Sequence, residues 1–237
     1  MGNKILGIDF ETTGISAADD RITEAGAVLW DWDTKTPITM LTTFVHPERP
    51  IPEEITKLTG ITDEMVENYG RPEGEVFADL DYLMGCADYA MAHKAEFDKG
   101  FYDAAAVRTN QKTVERPWLC TIQDIKYPPE ITTRKLGHLA ADHGFANPFS
   151  HRALFDVLTM LKIASNYDLD AIIARSKEPT LYVQAFVSFN DKDKAKELGF
   201  RWYAPSKIWW KDMKASDYEA MKDTCEFNTG LLAGPLE

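Results

Sequence analysis

Two carboxylates one residue apart, Asp9 and Glu11, close an apolar run in "KILGIDFETTG". In a strand, residues i and i+2 point to the same face. Two hard oxygen donors then converge on one point, which suits Mg²⁺ or Mn²⁺ better than zinc. A solvated pair of acids at a strand end reads the same way in isolation. "MAHKAEFDKGF" adds Asp98 near the start of a helix that follows a buried strand. "SHRALFDVLTM" adds Asp156 within an otherwise apolar helix, with His151 five residues before it. An acid in such a helix either faces solvent or has a partner. The other histidines have plainer readings: His46 at a strand end, His138 and His143 on a helix, and His93 orienting backbone or ligand.

These residues need a scaffold. "KILGID", "ITEAGAVLWDW" and "PITMLTTFVHP" are β-rich and closely spaced, which predicts an antiparallel meander. Glu24, beside the second apolar run, reads as a strand-edge acid. Two short helix patterns follow, broken at Gly60, with Thr62 as the cap of the second. A helix at "PEGEVFADLDYLMG", a buried strand at "DYAMAH", and helices at "EFDKGFYDAAAVR", "RKLGHLAADHGF" and "SHRALFDVLTMLKIAS" complete the first part, with Ser150 the expected cap of the last. Strands first, then strand and helix in alternation, predict an α/β fold with a mixed sheet covered by helices.

The chain changes character near "SKEPT", so residues 1–178 and 180–237 are expected as two domains. The second reads as a strand, a helix, a hairpin turning at "APSK" and a further helix, a small α+β accessory domain for nucleic acid or a partner. It holds Trp202, Trp209 and Trp210 of the six tryptophans. So small a unit needs large side chains for its core, so most of these are expected inside. The alternative is that they stack bases beside Arg201, Lys207 and Lys211.

Composition narrows the class. The chain has 237 residues, a net charge of −12 and 44% apolar residues. Such acidity excludes a protein that holds nucleic acid by charge over a wide surface. It permits a short strand in a metal-lined cleft, where the cations offset the acids. No apolar run is long enough for a membrane helix, and the start of the chain does not read as a signal peptide. Three scattered cysteines fit a reducing, cytoplasmic setting.

"GIDFETTG", "AHKAEFD" and "HRALFD" together, in this order, resemble the three motifs of the DEDDh (DnaQ-like) 3′–5′ exonucleases, the family of replicative-polymerase proofreading subunits and exonuclease X. The resemblance covers residues 1 to about 165. It implies an RNase H-like mixed five-stranded sheet, three antiparallel strands then parallel ones, flanked by helices. It implies two divalent cations held by Asp9, Glu11, Asp98 and Asp156, with His151 as general base. The implied reaction removes nucleoside 5′-monophosphates from a 3′ end, single-stranded or frayed DNA in preference, with RNA or a non-catalytic polymerase accessory as the alternatives. A polymerase partner or a homodimer is also implied. Thr12 and Thr13 would hold the terminal nucleotide. Phe97 would pack against it, or is a core residue. Lys94 stands where the family usually has Asn, and Thr59 where it often has His. These two departures bear on strand positioning and leave the metal ligands intact.

Overall fold

The computed structural model describes residues 3–236. The chain divides into two compact units, which meet at Ser176 and Lys177 in the sequence.

In the first unit, β1 (Lys4–Thr12), β2 (Ile22–Asp31) and β3 (Thr36–Phe44) form the antiparallel meander. Helices α1 (Glu53–Thr59), α2 (Asp63–Tyr69) and α3 (Glu73–Cys86) follow, then β4 (Tyr89–Ala92), α4 (Ala95–Thr109), β5 (Trp118–Cys120), α5 (Leu136–Asp142), α6 (Ala153–Ala164) and α7 (Leu169–Ser176). The sheet order is β3-β2-β1-β4-β5, with β4 parallel to β1 and β5 parallel to β4. Thr62 caps α2, its side chain accepting from the Met65 amide. The sequence reading did not single out β5, only three residues long, or α7.

Both faces of this sheet are covered, which is why β1 and β2 read as nearly unbroken apolar runs. On one face Leu6, Ile8 and Phe10 pack with Phe77, Leu80, Met84 and Phe101 from α3 and α4. On the other, Ile5, Val28 and Trp30 pack with Val157, Met160 and Leu161 of α6. The odd positions of β1 therefore face α6, and Asp9 and Glu11 are odd positions.

Helix α6 lies unusually close to the sheet. A Cβ at Gly26 would sit 2.5 Å from the Ala153 carbonyl carbon and the Leu154 nitrogen. A Cβ at Gly7 would sit 2.7 Å from Leu161 Cδ1. Real Cβ atoms do not show such approaches, so Gly26 lets helix backbone rest on strand backbone, while Gly7 makes room for the Leu161 and Val157 side chains.

The second unit is a four-stranded antiparallel sheet in the order β7-β8-β6-β9. Its elements are β6 (Thr180–Phe186), a 3₁₀ turn (Phe189–Asp191), α8 (Lys192–Glu197), β7 (Arg201–Tyr203), β8 (Ile208–Lys214), α9 (Ala215–Lys222) and β9 (Asn228–Leu232). Its core is built on Val183, Ala185, Ala195, Phe200 and Met213. The expectation of buried tryptophans needs correction. Trp202 is half exposed, while Trp209 packs only partly against the core. Trp210 is also only part-buried. Phe200 and Met213 fill the interior instead.

Candidate active site

Asp9 and Glu11 project from β1 toward the start of α6, and Asp156 lies in the first turn of that helix. Glu11, His151 and Asp156 each offer a donor atom within 4.8 Å of the others. Asp9 lines the same cleft, of about 240 Å³, together with Thr12, Phe97 and Thr59. Asp98, on α4, is buried and does not itself line the cleft. Strand β4 pairs with β1 only as far as Gly7, and beyond it the Phe10 amide donates to Asp98 Oδ1 at 3.1 Å. That bond fixes a buried carboxylate beside Asp9.

His151 sits in the left-handed region, φ +61°, where a non-glycine residue is strained. Its amide donates to Asp156 Oδ2 at 3.0 Å, and the Asn147 side chain donates to Oδ1. Asp156 thus organises the turn that presents the histidine. The imidazole is exposed and, among the described residues, makes no hydrogen bond. Ser150 does not cap α6 as its sequence suggests. The helix starts at Ala153, whose amide donates to Glu24 Oε2 at 3.0 Å.

Glu24 is the residue that the sequence reading misplaced. It is buried, not a solvated strand-edge acid. It sits opposite Glu11 in the β1–β2 register and binds the Arg152 guanidinium with contacts of 2.7–3.1 Å. Its partner lies 128 positions away in sequence, so no local pattern marks it.

Several sequence candidates take different places. The Thr13 hydroxyl donates to Asp20 and accepts from the Arg21 amide, which commits it to the β1–β2 loop and not to the cleft wall. The Thr12 hydroxyl donates to the Gly14 carbonyl at the cleft edge. Phe97 stacks on Phe101, centroids 4.9 Å apart, and also lines the cleft, so both of its expected roles coexist. Lys94 is left-handed at φ +84° and sets its ammonium 5.9 Å from the Phe97 ring, outside the cleft wall. His93 bridges Thr121 Oγ1 and the Arg134 carbonyl, 2.7 Å each. A carbonyl only accepts, so Nε2 carries the proton, and burial holds the ring's pKa down. Sequence reasoning also missed the apolar rim of Ile15, Ile55 and Leu58, of which Ile15 is 90% exposed.

All four motif acids are pushed above the usual carboxylate range, in each case first by burial. At Asp9, Asp98, Glu11, Asp156 and Glu24 then add repulsion in that order. Glu11 is pushed up to about 8 by burial, Asp156 and Glu24, against a smaller opposing pull from Arg152. Asp98 and Asp156 are raised by burial, with hydrogen bonds from the Phe10 and His151 amides opposing. Clustered hard oxygen donors that repel one another fit divalent cations.

The folded chain keeps a proton on Glu11 that the unfolded chain releases at ordinary carboxylate pH. The unfolded state binds fewer protons across that window, so stability falls as pH rises. In EDTA the melting temperature should drop between pH 5 and pH 8. Mn²⁺ should raise it more at pH 8, where the ligands are ready to lose their protons. Equal Mn²⁺ shifts at both pH values would contradict this.

Comparisons with known proteins agree with the geometry. The family model described as RNase_T, exonuclease, matches residues 6–164. The PolC-type DNA polymerase III of Clostridium perfringens is 35% identical over 158 residues, covering 65% of this chain and 10% of that one. The DNA polymerase III epsilon subunit of Treponema pallidum is 39% identical over 97 residues, covering 40% of this chain and 43% of its own. The chain thus spans about a tenth of the polymerase chains that it matches and under half of that subunit. Among solved structures, exonuclease X with 5′-overhanging duplex DNA superposes with a TM-score of 0.56 at 19% identity, covering 73% of this chain and 99% of that one. The nuclease domain of the DEDDh member 3′hExo bound to rAMP gives 0.57 at 19% identity, covering 70% and 91%. These two share the fold. With the family model matched over most of the chain, the protein belongs to the exonuclease family.

Proposed function

We propose that the chain hydrolyses the terminal phosphodiester of single-stranded or frayed DNA from the 3′ end and releases nucleoside 5′-monophosphates. The convergence of Glu11, His151 and Asp156 with Asp9 in one cleft carries this reading. Asp9, Glu11, Asp98 and Asp156 would hold two divalent cations, Mg²⁺ or Mn²⁺. Such cations supply charge to the phosphoryl oxygens and lower the pKa of water.

The protein's own part is positional. Glu24 and Arg152 fix the start of α6, and that start places Asp156 and the His151 turn. His151 is exposed at the cleft mouth, where its imidazole can reach an attacking water as general base. Ile15 and Leu58 offer apolar surface to a base while the acids stay with the phosphate. The Clostridium and Treponema relatives are DNA polymerase chains, which supports DNA over RNA and extends the proposal to association with a polymerase. The free cysteines fit a cytoplasmic setting. Among the described residues no helix is long and apolar enough to cross a membrane.

The test uses 5′-labelled single-stranded DNA, duplex DNA and RNA with Mg²⁺ or Mn²⁺. The expected result is stepwise shortening from the 3′ end, fastest on single-stranded DNA. No cleavage of any polymer with either metal overturns the reading, and faster cleavage of RNA overturns its DNA part. His151→Ala should lower turnover by roughly 10²–10⁴-fold, the usual worth of a general base. Its Mn²⁺ affinity should stay within about twofold of the parent's by calorimetry, since four carboxylates remain. Parent-like turnover would remove His151 as the base.

A further inference from the structure

The second unit has an open cleft that its own core does not need. Phe186, Phe189, Lys192, Trp202, Lys207 and Trp209 form most of its wall, around about 590 Å³. Phe189 is 80% exposed, Phe186 55% and Trp202 50%. A unit this small depends on its large side chains for burial, so leaving three aromatics outside marks a surface kept for a ligand.

The chemistry of the wall indicates which ligand. Trp202 and Trp209 stand opposite each other on β7 and β8, ring centroids 5.5 Å apart. Lys192 holds its ammonium 3.9 Å from the Phe189 ring, and Lys196 lies 5.9 Å from that of Trp209. Among the described residues no acidic side chain lines the cleft, in a chain of net charge −12. Flat aromatic faces interleaved with cations match alternating bases and phosphates. The basic residues favoured from sequence are engaged elsewhere. Arg201 lies over Trp210 and pairs with Asp212, and the Lys211 ammonium donates to the Leu198 carbonyl. Lys207 keeps its place in the cleft wall, left-handed at φ +53° where a glycine would sit without strain.

We infer that this cleft is a second nucleic-acid site, which holds a single strand through base stacking on Trp202 and Phe189 and phosphate contacts from Lys192 and Lys207. The inference rests on the reading that the first unit consumes a nucleic-acid strand. Tethering a strand-holding cleft to that active site raises the local concentration of substrate without altering the chemistry.

The test uses the full chain carrying Asp9→Asn, in EDTA, with fluorescein-labelled dT20 and dT3 read by anisotropy. Adding Trp202→Ala should weaken dT20 binding about tenfold, the scale of one lost stacking contact. Trp202→Phe should retain most of the affinity, and dT3, short enough for the active-site cleft alone, should bind equally to all three. Lys192→Ala combined with Lys207→Ala should flatten the plot of log affinity against log salt by about 1.4, from about 0.7 per phosphate contact on a single strand. Melting curves establish that each variant is folded, and Trp202→Phe covers the case in which the alanine variant is not. Unchanged dT20 affinity in Trp202→Ala, or an unchanged salt slope, overturns the proposal and would leave the cleft to a protein partner. Failure of the nuclease reading shows separately, as absence of dT20 cleavage by the parent chain with Mg²⁺ or Mn²⁺.

Discussion

Asp9→Asn should abolish hydrolysis while making the metal-free protein more stable. Turnover should fall by roughly a thousandfold or more, the scale on which a preorganised charge acts in a transition state. Asparagine keeps the shape of the side chain and removes its charge. In the metal-free chain, Asp9 is the acid on which most others press: Asp98, Glu11, Asp156 and Glu24 all push its pKa up. Removing that charge relieves repulsion at a site that burial already disfavours. The variant's melting temperature in EDTA should therefore exceed the parent's at pH 8, and Mn²⁺ should raise it less. At pH 5 the gap should narrow, because a raised pKa favours the neutral form of the parent acid as pH falls. Two assays check this, one of hydrolysis and one of thermal unfolding with and without Mn²⁺. An active variant, or one less stable than the parent in EDTA at pH 8, would refute the assignment of Asp9 to a cation cluster.

Glu24→Ala should lower both stability and activity without touching a proposed ligand. Two effects compete. Glu24 repels Glu11, Asp9 and Asp156, so its removal relieves them. It also binds Arg152 through three contacts and accepts the buried Ala153 amide. The direct contacts dominate, because they are at hydrogen-bond range while the repulsions act over longer distances. Leaving a buried amide without a partner costs about 1–3 kcal/mol. The Arg152 side chain is 34% exposed, so water compensates part of the lost ion pair. A net loss of about 2 kcal/mol lowers the melting temperature of a chain of this size by roughly 4–8 °C. Activity should fall on the order of a hundredfold, the cost of misplacing catalytic groups by about 1 Å. Glu24→Gln combined with Arg152→Met should recover part of the stability, since both charges then leave together. A Glu24→Ala chain with parent-like melting and turnover would show that the start of α6 is fixed by something else.

Much of the site was legible in the sequence because its rules are local. The i, i+2 spacing of Asp9 and Glu11 fixes a common face once the run is a strand, and the strand declares itself by its apolar residues. Asp156 and His151 share one helix start, so their proximity needs no tertiary knowledge. The fold class followed from the order of strands and helices. What was not legible depends on long-range contacts. Glu24 reads as an edge acid until Arg152 arrives from the far end of the domain. Ser150 looks like a cap because Ser often is one, but here a glutamate from another strand accepts the first helical amide. Thr13 looked like a substrate contact, and its loop partner Asp20 takes it away. In the second unit, the count of aromatic residues suggested a core, but nothing in the spacing told which rings the sheet would leave outside.

The contact of α6 with Gly7 and Gly26 bears on how freely this protein can change. The gap between the strand acids and Asp156 is a distance between main chains, because no side chain lies between Gly26 and Ala153 to act as a spacer. Core side chains away from that contact, Met160 for instance, do not set the gap directly. A single carbon added at Gly26 would therefore lift the helix and its acid away from the other three.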